Sequence, residues 1–129
     1  MIDPTVQHLL EQVIDSPIKL QLLLLYDENP RFQGTGSQIA ARTYRDIWST
    51  REALRELAED GLLSTTGTAD PVYSYRPHTE YREPISRLIQ CYNEPLERDR
   101  LQAALHEIAR NAPYRRAANG ALSFDRLPI

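Results

Sequence analysis

The feature that most constrains the fold is an amphipathic helix that leads directly into a β-hairpin. Leu54 and Leu57 recur at the spacing of one helix face, and the pattern stops at Asp60-Gly61, where glycine can adopt the left-handed conformation of a helix C-cap. Two segments rich in β-branched and aromatic residues follow at 62–66 and 72–76, with turn-forming residues between them. The sequence therefore predicts a helix followed at once by a two-stranded hairpin.

The residues before this helix predict three further helices and a short strand. Asp3-Pro4 and Ser16-Pro17 each place a capping residue before a proline, which is typical of a helix start. The first helix carries a one-sided apolar stripe, whereas the second is apolar on nearly all sides, as a central core helix should be. Gly36-Ser37 is the expected cap of the third helix. The predicted elements are helices at 4–14, 17–26 and 38–43, a strand at 32–35, and the helix at 47–60 described above.

Two more amphipathic helices are predicted beyond Pro77, joined near Pro95, which should kink or restart the helix. Residues 112–129 contain too little periodic apolar sequence to predict an element, and we assign them to a tail. The fold class is α+β, mainly α, in one domain over 1–111. The apolar stripes of the two helices are Ile85, Leu88, Ile89 and Tyr92 in one, and Leu101, Ala104, Leu105 and Ile108 in the other.

Two short motifs accompany the predicted turn and hairpin. Ile39-Ala40 stands before a turn, and the pattern Leu57-x-x-x-Gly61-Leu62 leads from a helix into a hairpin. These motifs resemble those of winged helix-turn-helix transcription regulators of the MarR, PadR and ArsR kind. The resemblance covers about residues 16–77. It implies a winged helix-turn-helix with added N- and C-terminal helices, in which the recognition helix lies near 48–60 and the wing near 62–76.

The resemblance also implies which residues contact DNA. Residues at the start of the third helix would reach phosphates, and polar residues of the recognition helix would face the groove. The helical periodicity supports this assignment, because it places Leu54 and Leu57 on one face of the helix and Arg51 and Arg55 on the opposite face. The candidate DNA-binding residues are Thr35, Ser37, Gln38, Arg45, Trp48, Ser49, Arg51, Glu52, Arg55 and Arg76.

Two of these candidates have an alternative role. Arg55 lies three and four residues from Glu52 and Glu59, so it could pair with them on a solvated helix face instead of contacting DNA. Trp48 could stack on a sugar or a partner protein, but large aromatic residues are buried on average. For Trp48 we therefore favour packing over the turn between the two helices.

The overall negative charge argues against nucleic-acid binding unless basic residues are concentrated in one part of the chain. The chain has 15 basic and 18 acidic residues, a net charge of −3, and all but one of the basic residues are arginine. Residues 31–60 are balanced, with five arginines against five acids, whereas residues 1–30 hold one lysine against five acids. The predicted wing tip has no basic residue, and the nearest is Arg76. A modest basic surface is thus compatible with an acidic total.

The terminal helices need a partner for their apolar stripes. In MarR- and PadR-like proteins such helices pair across a two-fold axis, so the resemblance implies a homodimer formed by the two C-terminal stripes together with Val6, Leu9, Leu10 and Val13. A homodimer would present two recognition helices to a palindromic site. The alternative is that these stripes fold back on their own chain.

Several classes of function lack support in the sequence. The longest apolar run, 22–25, is far too short for a membrane span, and the first residues lack the basic start of a signal peptide, so we expect a cytoplasmic protein. Three scattered histidines and the lone Cys91 show no metal-site or catalytic spacing. We therefore predict no enzymatic activity, no cofactor and no metal. The leading hypothesis is a homodimeric regulator that binds double-stranded DNA, and the alternative is a winged-helix module that binds another protein.

Overall fold

The computed structural model describes the backbone of residues 2–125 and the side chains of residues 2–111. The described part is mainly helical with one small antiparallel sheet, which confirms the predicted α+β, mainly α class. The elements are α1 (Pro4–Gln12), α2 (Pro17–Glu28), β1 (Gln33–Thr35), α3 (Gly36–Thr43), α4 (Ile47–Glu59), β2 (Leu63–Thr66), β3 (Val72–Tyr75), a short 3₁₀ helix (Thr79–Tyr81), α5 (Arg82–Asn93) and α6 (Pro95–Asp125).

The first two helices begin where the sequence predicts. Asp3 Oδ1 accepts the backbone N–H of Thr5 at 2.7 Å, and Ser16 Oγ accepts that of Lys19 at 3.3 Å. In each case proline follows in the first turn, where its missing N–H costs nothing. Helix α2 extends to Glu28, two residues past the predicted end at Tyr26.

The start of α3 differs from the prediction by one position. Thr35, not Gly36-Ser37, is the N-cap: its hydroxyl accepts the N–H of Gln38 at 3.3 Å, and Gln38 Oε1 accepts the N–H of Thr35 at 3.0 Å. This reciprocal pair satisfies two helix-end donors that glycine, lacking a side chain, cannot satisfy. Gly36 accordingly becomes the first residue of the helix.

The three strands form a sheet in the order β1-β3-β2, with both pairings antiparallel. The predicted hairpin is β2–β3, and Gly67 in its turn has a φ of +89°. Tyr73 in the central strand lies opposite both Gly34 and Thr65. The hydroxyl of Tyr26 donates to the carbonyl of Tyr73 at 2.9 Å, which attaches the sheet to the central helix α2.

One hydrophobic core joins the N- and C-terminal helices to the middle of the chain. Most residues of the predicted apolar stripes belong to this core and are buried within the chain. The prediction that the stripes pair across a dimer axis is therefore wrong for their buried members. The alternative, that the stripes fold back on their own chain, is what the structure has. The buried members are Val6, Leu9, Leu10, Val13, Ile85, Leu88, Leu101, Leu105 and Ile108.

The single lysine of the chain is a core residue. Lys19 on α2 is only 2% exposed, and its Nζ lies 2.7 Å from Asp15 Oδ1 and 2.5 Å from Glu56 Oε1. Asp15 precedes α2, whereas Glu56 belongs to α4. This buried ion-pair cluster therefore ties α4 to α2.

Helix α6 continues through Asp125, into the segment that the sequence assigned to a tail, and residues 126–129 lie outside the described part. Its 31 residues correspond to a length of roughly 46 Å. Pro113 removes one backbone donor from the helix, yet α6 continues past it. No helix within residues 2–125 is long and apolar enough to span a membrane.

Candidate functional site

Helices α3 and α4 meet through a tight turn of residues 44–46. The Thr43 hydroxyl donates back to the carbonyl of Ile39 at 2.9 Å, and Tyr44 turns the chain with a left-handed backbone, φ 57°. Asp46 then caps α4, because its Oδ2 accepts the N–H of Ser49 at 2.8 Å. Hydrogen bonds from Ser49 are the main cause that holds the pKa of Asp46 below its usual value. The turn is therefore defined by backbone and capping contacts.

Helix α4 has the predicted orientation. Thr50, Ala53, Leu54 and Leu57 are buried. The remaining charged candidates face outward, since Arg51, Glu52 and Arg55 are all exposed. Ser49 is also exposed, at the first turn of the helix. The outward face of α4 is thus available to a partner.

Trp48 does not cover the turn between the helices, so our prediction for it is wrong. It is 76% exposed. The physical reason is that the turn is already closed by the bonds of Thr43 and Asp46, and the inward position of the first turn belongs to Thr50, whose hydroxyl donates to the carbonyl of Asp46 at 2.8 Å. The indole is left on the outer face of α4.

Arg55 is neutralised by carboxylates on its own helix. Its guanidinium donates to Glu52 and to Glu59, and it lies 3.8 Å from Glu56 Oε2. The hydrogen bond to Glu52 is the main cause that raises the pKa of Arg55, and the same bond lowers the pKa of Glu52. A contact between Arg55 and an outside group would have to displace these partners.

Arg51 is arranged differently. Its Nη2 donates to Ser37 Oγ at 3.3 Å, and it has no ion pair among the described residues. Its side chain lies against Gly36, where an added Cβ would be only 2.7 Å from Arg51 Cγ. The glycine therefore provides the space that this side chain occupies. Thr35 and Gln38, two further candidates, engage each other in the α3 cap.

Two more arginines of the α3–turn region also lack a carboxylate partner within residues 2–111. Arg42 lies 5.0 Å above the ring of Phe32, and Arg45 donates through Nε to Gln21 Oε1. Gln21 in turn donates to the carbonyl of Thr43 at 3.3 Å, so it braces the turn. Three arginines on the C-terminal helices are in contrast paired: Arg87 with Asp3 and Glu83, Arg100 with Glu97, and Arg110 with Glu107.

A cleft of about 390 Å³ separates α4 from the tip of the β2–β3 hairpin. One side consists of Trp48, Arg51, Glu52 and Arg55, so the structure brings these four candidates together. The opposite side includes Asp70 and Pro71. Arg76, in contrast, is exposed just beyond β3 and is not part of this cleft.

Sequence reasoning missed Tyr44. This residue is 94% exposed, which makes it the most exposed large hydrophobic residue of the described part, and it lies four residues before Trp48. A left-handed turn residue is normally predicted from Gly or Asn. A tyrosine carries no such signal, so the sequence could not indicate its conformation.

Other kinds of site find no support in the described residues. No group of three or more His, Cys, Asp or Glu side chains there could hold a metal ion. Burial raises the pKa of the Cys91 thiol, which disfavours the reactive thiolate. No family model, curated protein or solved structure matches the chain. Its function must therefore be argued from its own geometry.

Proposed function

We propose that the chain is a winged-helix transcription regulator that binds double-stranded DNA through α4, with the β2–β3 hairpin as the wing. The arrangement of parts supports this: α3 and α4 meet at a tight turn, and α4 leads through Gly61, φ +92°, into a hairpin. In this class of protein the second helix of the turn enters the major groove. The outward face of α4, with Arg51 at its centre, is the proposed reading surface.

The single observation that carries the proposal is how the arginines are paired. Arg42, Arg45 and Arg51 are exposed and have no carboxylate partner among the described residues, whereas Arg87, Arg100 and Arg110 are neutralised. Unpaired arginine forks suit phosphates and the O6 and N7 atoms of guanine. Three arginines with available positive charge thus lie in the α3–turn–α4 region, despite the net charge of −3. Arg31, Arg76 and Arg82 are also exposed and unpaired in the described part, but they lie outside this region.

Within this proposal the candidates have unequal roles. Arg51 reads a base or a phosphate, with Ser37 as its neighbour, and Ser49 and Trp48 contact the backbone beside the groove. Arg55 contributes less, because Glu52 and Glu59 hold it. Thr35 and Gln38 present the N-terminus of α3 to a phosphate while maintaining the helix cap.

Homodimerisation is the second part of the proposal. The apolar stripes first expected at the dimer axis are buried in the chain, and the last buried residue of α6 among the described side chains is Ile108. The helix nevertheless continues to Asp125. We place the dimer contact in this remaining part of α6, which would set two copies of α4 on a palindromic site.

Selection of genomic DNA fragments at two salt concentrations tests the function directly. We expect an enriched inverted repeat, with an affinity that falls as salt increases. Arg51→Ala should weaken binding by about 1–3 kcal/mol and relax the sequence preference. Arg100→Ala is the matched control, because it removes the same charge from α6. If no sequence is enriched even at low salt, the proposal is wrong.

One observation favours a second candidate, a module that binds another protein. The hairpin tip contains Asp70 but no basic residue, and the cleft that it forms with α4 also contains exposed Trp48. A mixed-charge cleft with an aromatic wall suits a polypeptide segment better than a phosphate backbone. Failure of the DNA selection, together with a peptide ligand whose binding requires Trp48, would favour this candidate.

A further inference from the structure

Tyr44 combines two unfavourable properties at one position. Its φ of 57° and ψ of 37° lie in the left-handed region, which costs free energy for any residue with a Cβ. Its side chain is 94% exposed, so burial of the ring does not offset this cost. The fold needs the backbone conformation at this turn, yet glycine or asparagine would supply it with less strain.

The ring has no function in the folded chain itself. Within the described residues its hydroxyl has no hydrogen bond and its ring has no aromatic or cationic partner. The contacts that hold the turn come from its backbone N–H, which donates to the carbonyl of Ala40, and from its neighbours. An exposed aromatic residue kept in a strained conformation indicates a functional contact.

The surroundings of Tyr44 indicate the partner. Arg42 and Arg45 stand on either side of it in the chain, and neither is paired with a carboxylate in the described part of the structure. The nearest acid in the chain, Asp46, is engaged in capping α4. Exposed Trp48 lies four residues further on, in the first turn of α4. Aromatic rings among unpaired arginines complement the sugars and phosphates of a nucleic acid.

We infer that Tyr44 contacts the DNA backbone at the edge of the groove that α4 enters. Its ring packs against a deoxyribose, and its hydroxyl donates a hydrogen bond to a phosphate oxygen. This inference rests on the proposed DNA-binding function and adds a residue to it. Because the contact is not ionic, it strengthens binding without releasing a counterion.

The test compares Tyr44→Gly, Tyr44→Asn and Tyr44→Phe with the wild type, on the DNA site enriched in the selection. Glycine and asparagine relieve the backbone strain, so both variants should unfold at the same temperature as the wild type or a higher one. Both should nevertheless bind DNA about tenfold more weakly, and Tyr44→Phe about threefold. The slope of log affinity against log salt should stay unchanged, whereas Arg45→Ala should reduce it by about one.

The outcomes separate this inference from the function on which it rests. Wild-type affinity in Tyr44→Gly and Tyr44→Asn, with Arg51→Ala still impaired, would overturn the role of Tyr44 alone. Parallel losses of affinity and thermal stability in both variants would also overturn it, since they would show a structural role. If the wild type itself selects no DNA, the proposed function and this inference are both wrong.

Discussion

Gly36 illustrates how one residue without a side chain can determine the position of a side chain on another helix. It is the first residue of α3, and the nearest atoms to a Cβ placed there are all from Arg51, on a different helix. Arg51 is exposed, so its side chain has room to rotate away from such a Cβ. The glycine is therefore important for the orientation of Arg51 more than for the fold.

Replacing Gly36 with alanine should separate these two effects. We expect the free energy of unfolding to change by less than about 1 kcal/mol, because alanine is the better helix former and Arg51 can yield. DNA affinity should fall towards that of Arg51→Ala. Equilibrium unfolding and binding isotherms measure the two effects. If the losses from Gly36→Ala and Arg51→Ala add up in the double variant, Gly36 does not act through Arg51.

Lys19 differs from Arg51 because its charge is enclosed within the core. Replacing it with methionine keeps most of its volume but removes the buried positive charge that Asp15 and Glu56 share. Removing one member of a buried ion pair typically costs about 3–5 kcal/mol. We expect a loss of that size for Lys19→Met in denaturant unfolding. Arg100→Ala, whose pair is at the surface, should cost about 1 kcal/mol or less.

The sequence predicts the starts of helices well because the signals for them are local. Asp3-Pro4, Ser16-Pro17 and Pro95 each begin a helix, and Gly61 ends one in the left-handed conformation, as expected. The helical periodicity also predicts correctly which residues of α4 are buried and which are exposed, since this periodicity is fixed by the geometry of the helix. These features need no knowledge of distant contacts.

What the sequence could not predict depends on the neighbours of each element. The exposure of Trp48 follows from a turn that is closed by Thr43 and Asp46, and the space for Arg51 follows from Gly36 on another helix. The apolar stripes of the terminal helices were correctly identified, but periodicity does not say whether a stripe meets its own chain or a second copy. Only the packing decides that.

The helix caps predict a dependence of stability on acidity. The pKa of Asp3 is lowered by its hydrogen bond from the N–H of Thr5 and by Arg87, and the pKa of Asp46 by the N–H of Ser49. Because both values are lower in the folded state, their stabilisation is complete above the ordinary aspartate value of 3.8 and is lost as pH falls below it.

Thermal unfolding between pH 7 and pH 2.5 checks this expectation. Stability should decrease at the acidic end, and the decrease should be smaller in Asp3→Asn and in Asp46→Asn, since asparagine can cap a helix without titrating. Asp70→Asn is the matched control, because Asp70 caps no helix. An equally steep decrease in all four proteins would show that the caps are not the source.

For the whole molecule, net charge is a poor guide to the surface that a partner meets. The acidic excess lies in the first thirty residues, but Asp15 is enclosed with Lys19, and Asp3 pairs with Arg87. The α3–turn–α4 region has equal numbers of basic and acidic residues, and within it Arg55 forms ion pairs with Glu52 and Glu59. Arg42, Arg45 and Arg51 therefore remain as available positive charge on a chain whose net charge is −3.

The division of α6 into a packed and a remaining part leads to a prediction for the whole chain. The described core residues of α6 end at Ile108, so a chain that stops at residue 111 retains every residue of the described core. We expect this shortened chain to unfold cooperatively at a temperature close to that of the full chain. It should be a monomer by light scattering, whereas the full chain should be a dimer.

DNA binding should distinguish the two forms as well. A dimer engages both halves of a palindromic site, and the second half-site binds as an intramolecular event at high effective concentration. The shortened chain should therefore lose most of its preference for the complete palindrome and bind it little better than a single half-site. If the full chain is a monomer, the proposed homodimer is wrong. If the shortened chain remains a dimer, residues 112–129 do not form the interface, and another surface aligns the two copies of α4.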